Sequence, residues 1–124
     1  MEAIAVVARR ACPRFVPQDH SNIVWAFATL HLPNEPLFGE ISERAFAVVP
    51  EFAPQHLVNI AWSFAVARQP APVVDRIAAA AVPRLREILP HAQASLVWSV
   101  ARLARGSAPL LTAVAAAARP TLTR

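Results

Sequence analysis

Phe52-Ala-Pro-Gln-His-Leu-Val-Asn-Ile-Ala-Trp62-Ser-Phe-Ala65 is the stretch that decides the fold, because the chain says it three times. It aligns without gaps to Phe15-Val-Pro-Gln-Asp-His-Ser-Asn-Ile-Val-Trp25-Ala-Phe-Ala28. It aligns more loosely to Ile88-Leu-Pro-His-Ala-Gln-Ala-Ser-Leu-Val-Trp98-Ser-Val-Ala101. The tryptophans therefore stand 37 and then 36 residues apart. A second pattern recurs between them, opening with Pro36-Leu-Phe, Pro72-Val-Val and Pro109-Leu-Leu and running amphipathically through Ile41, Ile77 and Val114. A fixed period of this length marks stacked supersecondary units, so each repeat reads as two helices. The expected fold is all-α: a right-handed α-solenoid of antiparallel helix pairs, about three and a half repeats long.

Proline sets the helix boundaries. Pro17, Pro54 and Pro90 fall at the entry to the first helix of each copy, and Pro36, Pro72 and Pro109 at the entry to the second. A missing N–H has no consequence there, because first-turn donors lack an intrahelical acceptor. Pro33, Pro50, Pro70 and Pro120 fall in the joints. Pro83 is out of place inside a second helix, which should stop near Ala81 or kink. The spacing predicts helices over 2–12, 18–31, 36–49, 55–68, 72–82 with a short continuation to 87, 91–104 and 108–118. Residues 1–120 then form one helical-repeat domain with units at 1–14 (partial), 15–51, 52–87 and 88–120, followed by a tail at 121–124. Residues 1–12 align with 38–49, so the chain opens inside a second helix, as expected of a piece of a longer array.

Composition agrees with close-packed helices. Hydrophobic residues make up 56% of the 124, and only 2 are glycine; Ala, which is abundant, has the best helix propensity. No apolar run approaches the ~18 residues a membrane span requires. All 12 basic residues are arginine. Residues 1–52 hold four Arg against six acids, while residues 53–124 hold eight against two, so the second part is basic. An anionic partner should prefer it; biased codon composition would also enrich arginine over lysine. Cys12 is the only cysteine, which rules out an intrachain disulfide and a cysteine zinc cluster. The apolar run Ala3–Ala8, followed by Arg9 and Arg10, is too short and misordered for a secretory signal, and no targeting peptide is recognisable.

The Pro-Gln, Asn and Trp pattern of residues 52–65 resembles the octotricopeptide repeats of organellar RNA-binding proteins. It is similar, too, to the helical repeats of FAST-kinase-domain and RAP-domain proteins and of subunits of the mitochondrial RNA-editing substrate-binding complex. The resemblance runs from Met1 to about Pro120 and weakens in the third copy, where His91, Ser95 and Val100 replace Gln, Asn and Phe. It implies binding of single-stranded RNA along the solenoid in a mitochondrion or plastid, in RNA processing, stability, editing or translation. No kinase-like segment or RAP domain is visible, so nothing attached to those parts carries over.

Individual residues divide into framework and ligand candidates. Trp25, Trp62 and Trp98 could stack bases, but each precedes a small residue, an apolar residue and Ala, which favours core packing. Asn22 and Asn59, with Ser95 in the third copy, share the tryptophan's helical face; an inter-repeat hydrogen bond is the expected use. Gln18, Gln55 and His91 sit in the first turn. Positions that differ between copies are better readers of sequence, since one repeat can address one base through two or three side chains. They are Asp19, His56 and Ala92; His20, Leu57 and Gln93; and Thr29, Val66 and Arg102. Neutral drift at solvated positions would produce the same variation. Arg68, Arg76, Arg84, Arg86, Arg102 and Arg105 form the phosphate-contact group if they face one groove.

His20, His31, His56 and His91 show no metal-ligand spacing, and there is neither a Gly-rich phosphate loop nor a base near Cys12 in any motif. No enzyme, metal or cofactor is expected. Two readings remain: an RNA-binding repeat segment, with single-stranded RNA and protein partners in a ribonucleoprotein complex, or a protein-binding scaffold of armadillo or HEAT type.

Overall fold

The structure, a computed structural model, describes residues 2–11, 16–32 and 34–103. The predicted helix over 108–118, Arg105, Cys12 and the tail lie outside the described residues. Six α-helices fill the described part: α1 (Glu2–Ala11), α2 (Pro17–Thr29), α3 (Glu35–Val48), α4 (Pro54–Val66), α5 (Pro72–Ala81) and α6 (Pro90–Arg102). The described residues contain no strand. Pro17, Pro54 and Pro90 each open a helix one residue earlier than the spacing alone predicts, and Pro72 opens its helix at the predicted position. Pro83 acts as expected: α5 ends at Ala81 and the chain continues as a 3-10 segment over Val82–Glu87. A shorter 3-10 turn, Val49–Glu51, follows α3.

The helices alternate between two layers. α2 packs on α4 and α4 on α6, while α1 packs on α3 and α3 on α5; α2 with α3 and α4 with α5 join the layers. Between them runs one core, containing Val24, Phe27, Leu37, Phe38, Ile41, Leu57, Ile60, Phe64, Ile77, Leu96 and Val100. Phe38 meets Phe64 edge to face, with ring centroids 5.0 Å apart. Burying one such side chain contributes about 1.5–3 kcal/mol. Ser63 and Ser99 are fully buried, and each hydroxyl donates to a carbonyl one turn back in its own helix, Asn59 at 2.7 Å and Ser95 at 2.8 Å. Small side chains thus let α4 and α6 approach their neighbours without leaving a polar atom unpaired.

Helix ends show how one repeat hands over to the next. After α2, Leu32 N–H donates to Phe27 O and His31 N–H to Ala28 O; after α4, Gln69 N–H donates to Phe64 O and Arg68 N–H to Ala65 O. Both are Schellman closures, and both place a non-glycine residue in the left-handed region, His31 at φ 56° and Arg68 at φ 55°. α3 is started by Asn34, whose side chain accepts from Leu37 N–H at 2.9 Å. At the start of α5 the N-cap is Ala71, whose side chain offers no such bond.

Candidate nucleic-acid interface

On α2, α4 and α6 the buried positions fall two residues beyond each tryptophan: Phe27, Phe64 and Val100. Residues two apart point to nearly opposite sides of a helix, so burying that row turns the tryptophans outward. Trp25 is 48% exposed and Trp98 45%, while Trp62, on the middle helix, is partly buried. This corrects the expectation that the tryptophans are core. In the small-apolar-Ala triplet that suggested it, the middle residue is buried in every copy, whereas Ala26 is only partly buried and Ala101 is exposed. All three indoles lie on the α2/α4/α6 layer at equivalent places, one per repeat.

The asparagines flank this row, but they do not tie repeats together. Asn59 accepts from Gln55 Nε2 within α4 at 3.0 Å, and Asn22 is exposed. The expected inter-repeat bond is therefore replaced by an intrahelical one. Gln55 accordingly points along α4 toward Asn59 instead of capping the helix. Thr29 donates its hydroxyl to Trp25 O in the same helix.

Several residues proposed to read bases have other duties. Asp19 accepts from Val16 N–H at 2.9 Å, closing the start of α2. His20 is buried against Phe52, their ring centroids 6.2 Å apart. Its imidazole titrates below the ordinary histidine range, because burial disfavours the charged form and Arg44 adds to this, with Asp19 opposing. His20 cannot reach a base, and neither can Leu57, fully buried at the matching place in α4. Gln93 donates from Nε2 to both Leu85 O and Ile88 O at 2.9 Å, holding the 3-10 segment against α6. At these three matching positions His20 and Leu57 are core side chains and Gln93 satisfies the connector before α6. His56 stands edge-on to Phe52, with its Nδ1 buried.

The described arginines of the phosphate-contact group are spread over several elements. Arg76 lies on α5, Arg84 and Arg86 on the segment after it, and Arg68 and Arg102 at the ends of α4 and α6. Three of them reach back about one repeat to a main-chain carbonyl: Arg76 Nε to Phe46 O at 2.8 Å, Arg84 Nη1 to Phe52 O at 2.6 Å, and Arg102 Nε to Ala65 O at 3.1 Å. Phe46 and Ala65 lie in the last turns of α3 and α4, whose carbonyls lack intrahelical donors and whose dipoles favour a cation. These arginines are inter-repeat caps, a role that spacing along the chain does not reveal. Arg84 also pairs with Glu87 at 3.2 Å, and Arg76 lies over the Phe46 ring at 4.9 Å from its centroid.

One arginine nevertheless lies beside the tryptophan row, and the main chain of a second comes close to it. Ala65 O accepts from both Arg68 N–H and Arg102 Nε, which brings the end of α4 to the end of α6. The Arg102 guanidinium covers one side of Trp98, 5.3 Å from its centroid. Arg68, Arg86 and Arg102 are exposed. On the other layer, a cleft of about 450 Å³ runs between α3 and the start of α5, lined by Gly39, Ser42, Phe46, Pro70 and Pro72 among others. Among the described residues no group of His, Cys, Asp and Glu is placed to hold a metal ion, and no helix is long and apolar enough to cross a membrane.

The sequence model of the RNA-editing substrate-binding complex 6 protein family matches residues 2–107. No curated protein and no solved structure matches the chain.

Proposed function

The chain belongs to the RNA-editing substrate-binding complex 6 protein family, and from that membership we propose that it is a non-enzymatic, RNA-binding repeat segment of a mitochondrial RNA-editing complex. Its alternating helices form a right-handed α-solenoid of antiparallel pairs, and the α2/α4/α6 layer carries single-stranded RNA. The observation that supports this is the row Trp25, Trp62 and Trp98, one indole per repeat, with Trp25 and Trp98 about half exposed and Trp62 partly buried between them. Every base has a π-face, so such a row can hold a strand by stacking at about 1–3 kcal/mol per base. The basic second half supplies attraction for phosphate.

A second reading concerns the opposite layer, where the apolar cleft beside Phe46 favours a protein neighbour within the same complex. The armadillo-like scaffold and the RNA carrier are then two faces of one segment rather than rivals. The test is a titration of the whole chain with fluorescently labelled single-stranded RNA across a range of salt. Binding that weakens with salt, together with loss of affinity on replacing all three tryptophans by alanine, is the expected result. Equal, negligible binding to RNA and to an uncharged control at low salt overturns the reading. Crosslinking and sequencing in the source cell would identify the RNA and the compartment, mitochondrion or plastid.

A further inference from the structure

The three tryptophan positions share a register but not a chemical setting. Around Trp25 the exposed polar neighbours are Asn22 and Thr29, the nearby Asp19 is acidic, and residues 1–52 carry two more acids than arginines. Around Trp98 the residue four positions on is Arg102 in place of Thr29 and Val66. That arginine is held twice. Its Nε donates to Ala65 O at 3.1 Å, and its guanidinium plane lies over the Trp98 ring at 5.3 Å. Among the described residues no acceptor is bonded to its terminal nitrogens, while the indole keeps 45% of its surface open. Arg68 N–H bonds the same Ala65 carbonyl, which fixes a second exposed arginine close by.

We propose that the end of the third repeat is a nucleotide clamp, in which a base of single-stranded RNA stacks on the open side of Trp98 while the terminal guanidinium nitrogens of Arg102 take the adjoining phosphate. This rests on the RNA-binding reading above and adds where the strand is anchored. The geometry is suited to it because Nε, already bonded, orients the guanidinium, leaving the planar pair of nitrogens for two parallel bonds to phosphate oxygens. Less side-chain freedom is lost on binding than for a loose arginine. Arg68 adds charge at the same end. In the first repeat α2 carries an indole and no arginine, so it can stack a base without an arginine of its own helix to take the backbone, and salt sensitivity should originate at Trp98.

The experiment is fluorescence anisotropy of a short fluorescein-labelled oligouridylate against the whole chain and its W25A, W98A, R102K and R102Q variants, each over a salt series. W98A should weaken binding roughly tenfold with the salt slope retained. R102Q should lower the log-log salt slope by about 0.7, the share of one phosphate on a single strand. R102K should keep most of that slope while binding less tightly than the parent. A purely structural role for Arg102 would lower the melting temperature without moving the slope. Trp98 is outside the core, so W98A tests the clamp even if loss of the Ala65 bond loosens R102Q. If W25A weakens binding while W98A and R102Q match the parent, the clamp is overturned and the RNA-binding reading stands. If no variant, including the triple tryptophan one, differs from a parent that binds, the clamp falls; if the parent itself binds RNA no better than an uncharged control at low salt, both fall.

Discussion

Two apolar rows run down the same three helices, two residues apart, and their fates are opposite. Phe27, Phe64 and Val100 face α3 and α5 across the core and are almost fully buried, whereas Trp25 and Trp98 leave nearly half their surface in solvent. The larger, more hydrogen-bond-capable ring is the one kept outside. A tryptophan whose task was packing would be expected inside with its indole N–H satisfied. The exposed placement of Trp25 and Trp98 separates holding the fold from holding a ligand, and variants can break the two apart.

The largest effect should come from the inner row. Phe64→Ala removes a fully buried ring from between α4 and Phe38 and leaves a cavity, so it should cost about 3–5 kcal/mol in chemical denaturation, enough to threaten the folded state. Trp25→Ala removes a ring of greater volume from the same layer. Its stability should change by only about 1 kcal/mol or less, while RNA affinity should fall by about 1–3 kcal/mol in an anisotropy titration. Comparable destabilisation by both substitutions would erase the distinction between the rows.

The repeat, its period, the helix starts and the break at Pro83 were legible in the sequence because each rests on local chemistry. A proline in a first turn or a helix interior acts through its own ring and its missing N–H. The outward tryptophans were harder to read. Deciding which edge of an amphipathic helix is buried needs the partner helices, and Trp62 is only one position from the packed Ala61. The arginine caps were out of reach for a related reason: Arg76, Arg84 and Arg102 find their carbonyls 30, 32 and 37 residues back. Gln93 shows how variation misleads. Its position differs between repeats because a long 3-10 segment follows α5, and that segment leaves Leu85 O and Ile88 O to be satisfied.

A smaller effect tests the joints between repeats. His31 and Arg68 occupy the same left-handed closing position after α2 and α4, where glycine is the unstrained choice. The hydrogen bonds that close the helix there are main-chain ones and survive substitution. Arg68→Gly should therefore relieve local strain, offset in part by the freer unfolded chain, for a net gain of about 0.5–1 kcal/mol in the unfolding midpoint. The same change removes an exposed arginine next to Arg102, so a gain in stability with a shallower salt slope for RNA would show the residue serving both rows' interests.

The smallest effect at neutral pH concerns His20, which lies in the inner set where α4 has Leu57. Burial lowers its pKa from the ordinary 6.5. Above that value the imidazole is neutral in both states and titration contributes nothing. As pH falls through 6.5 the unfolded chain binds a proton that the folded chain resists, so unfolding gains and stability drops; the loss is complete once the pH is below the folded pKa as well. Asp19, which favours the charged ring, softens this, and Arg44 sharpens it. His20→Leu copies the second repeat into the first and removes the proton. Denaturation midpoints of the two proteins should run parallel above pH 6.5 and diverge below it, with the leucine protein flatter. Parallel curves down to pH 5 would mean that His20 stays solvated, and the boundary between the inner and outer rows would then have to be drawn differently in the first repeat than in the second.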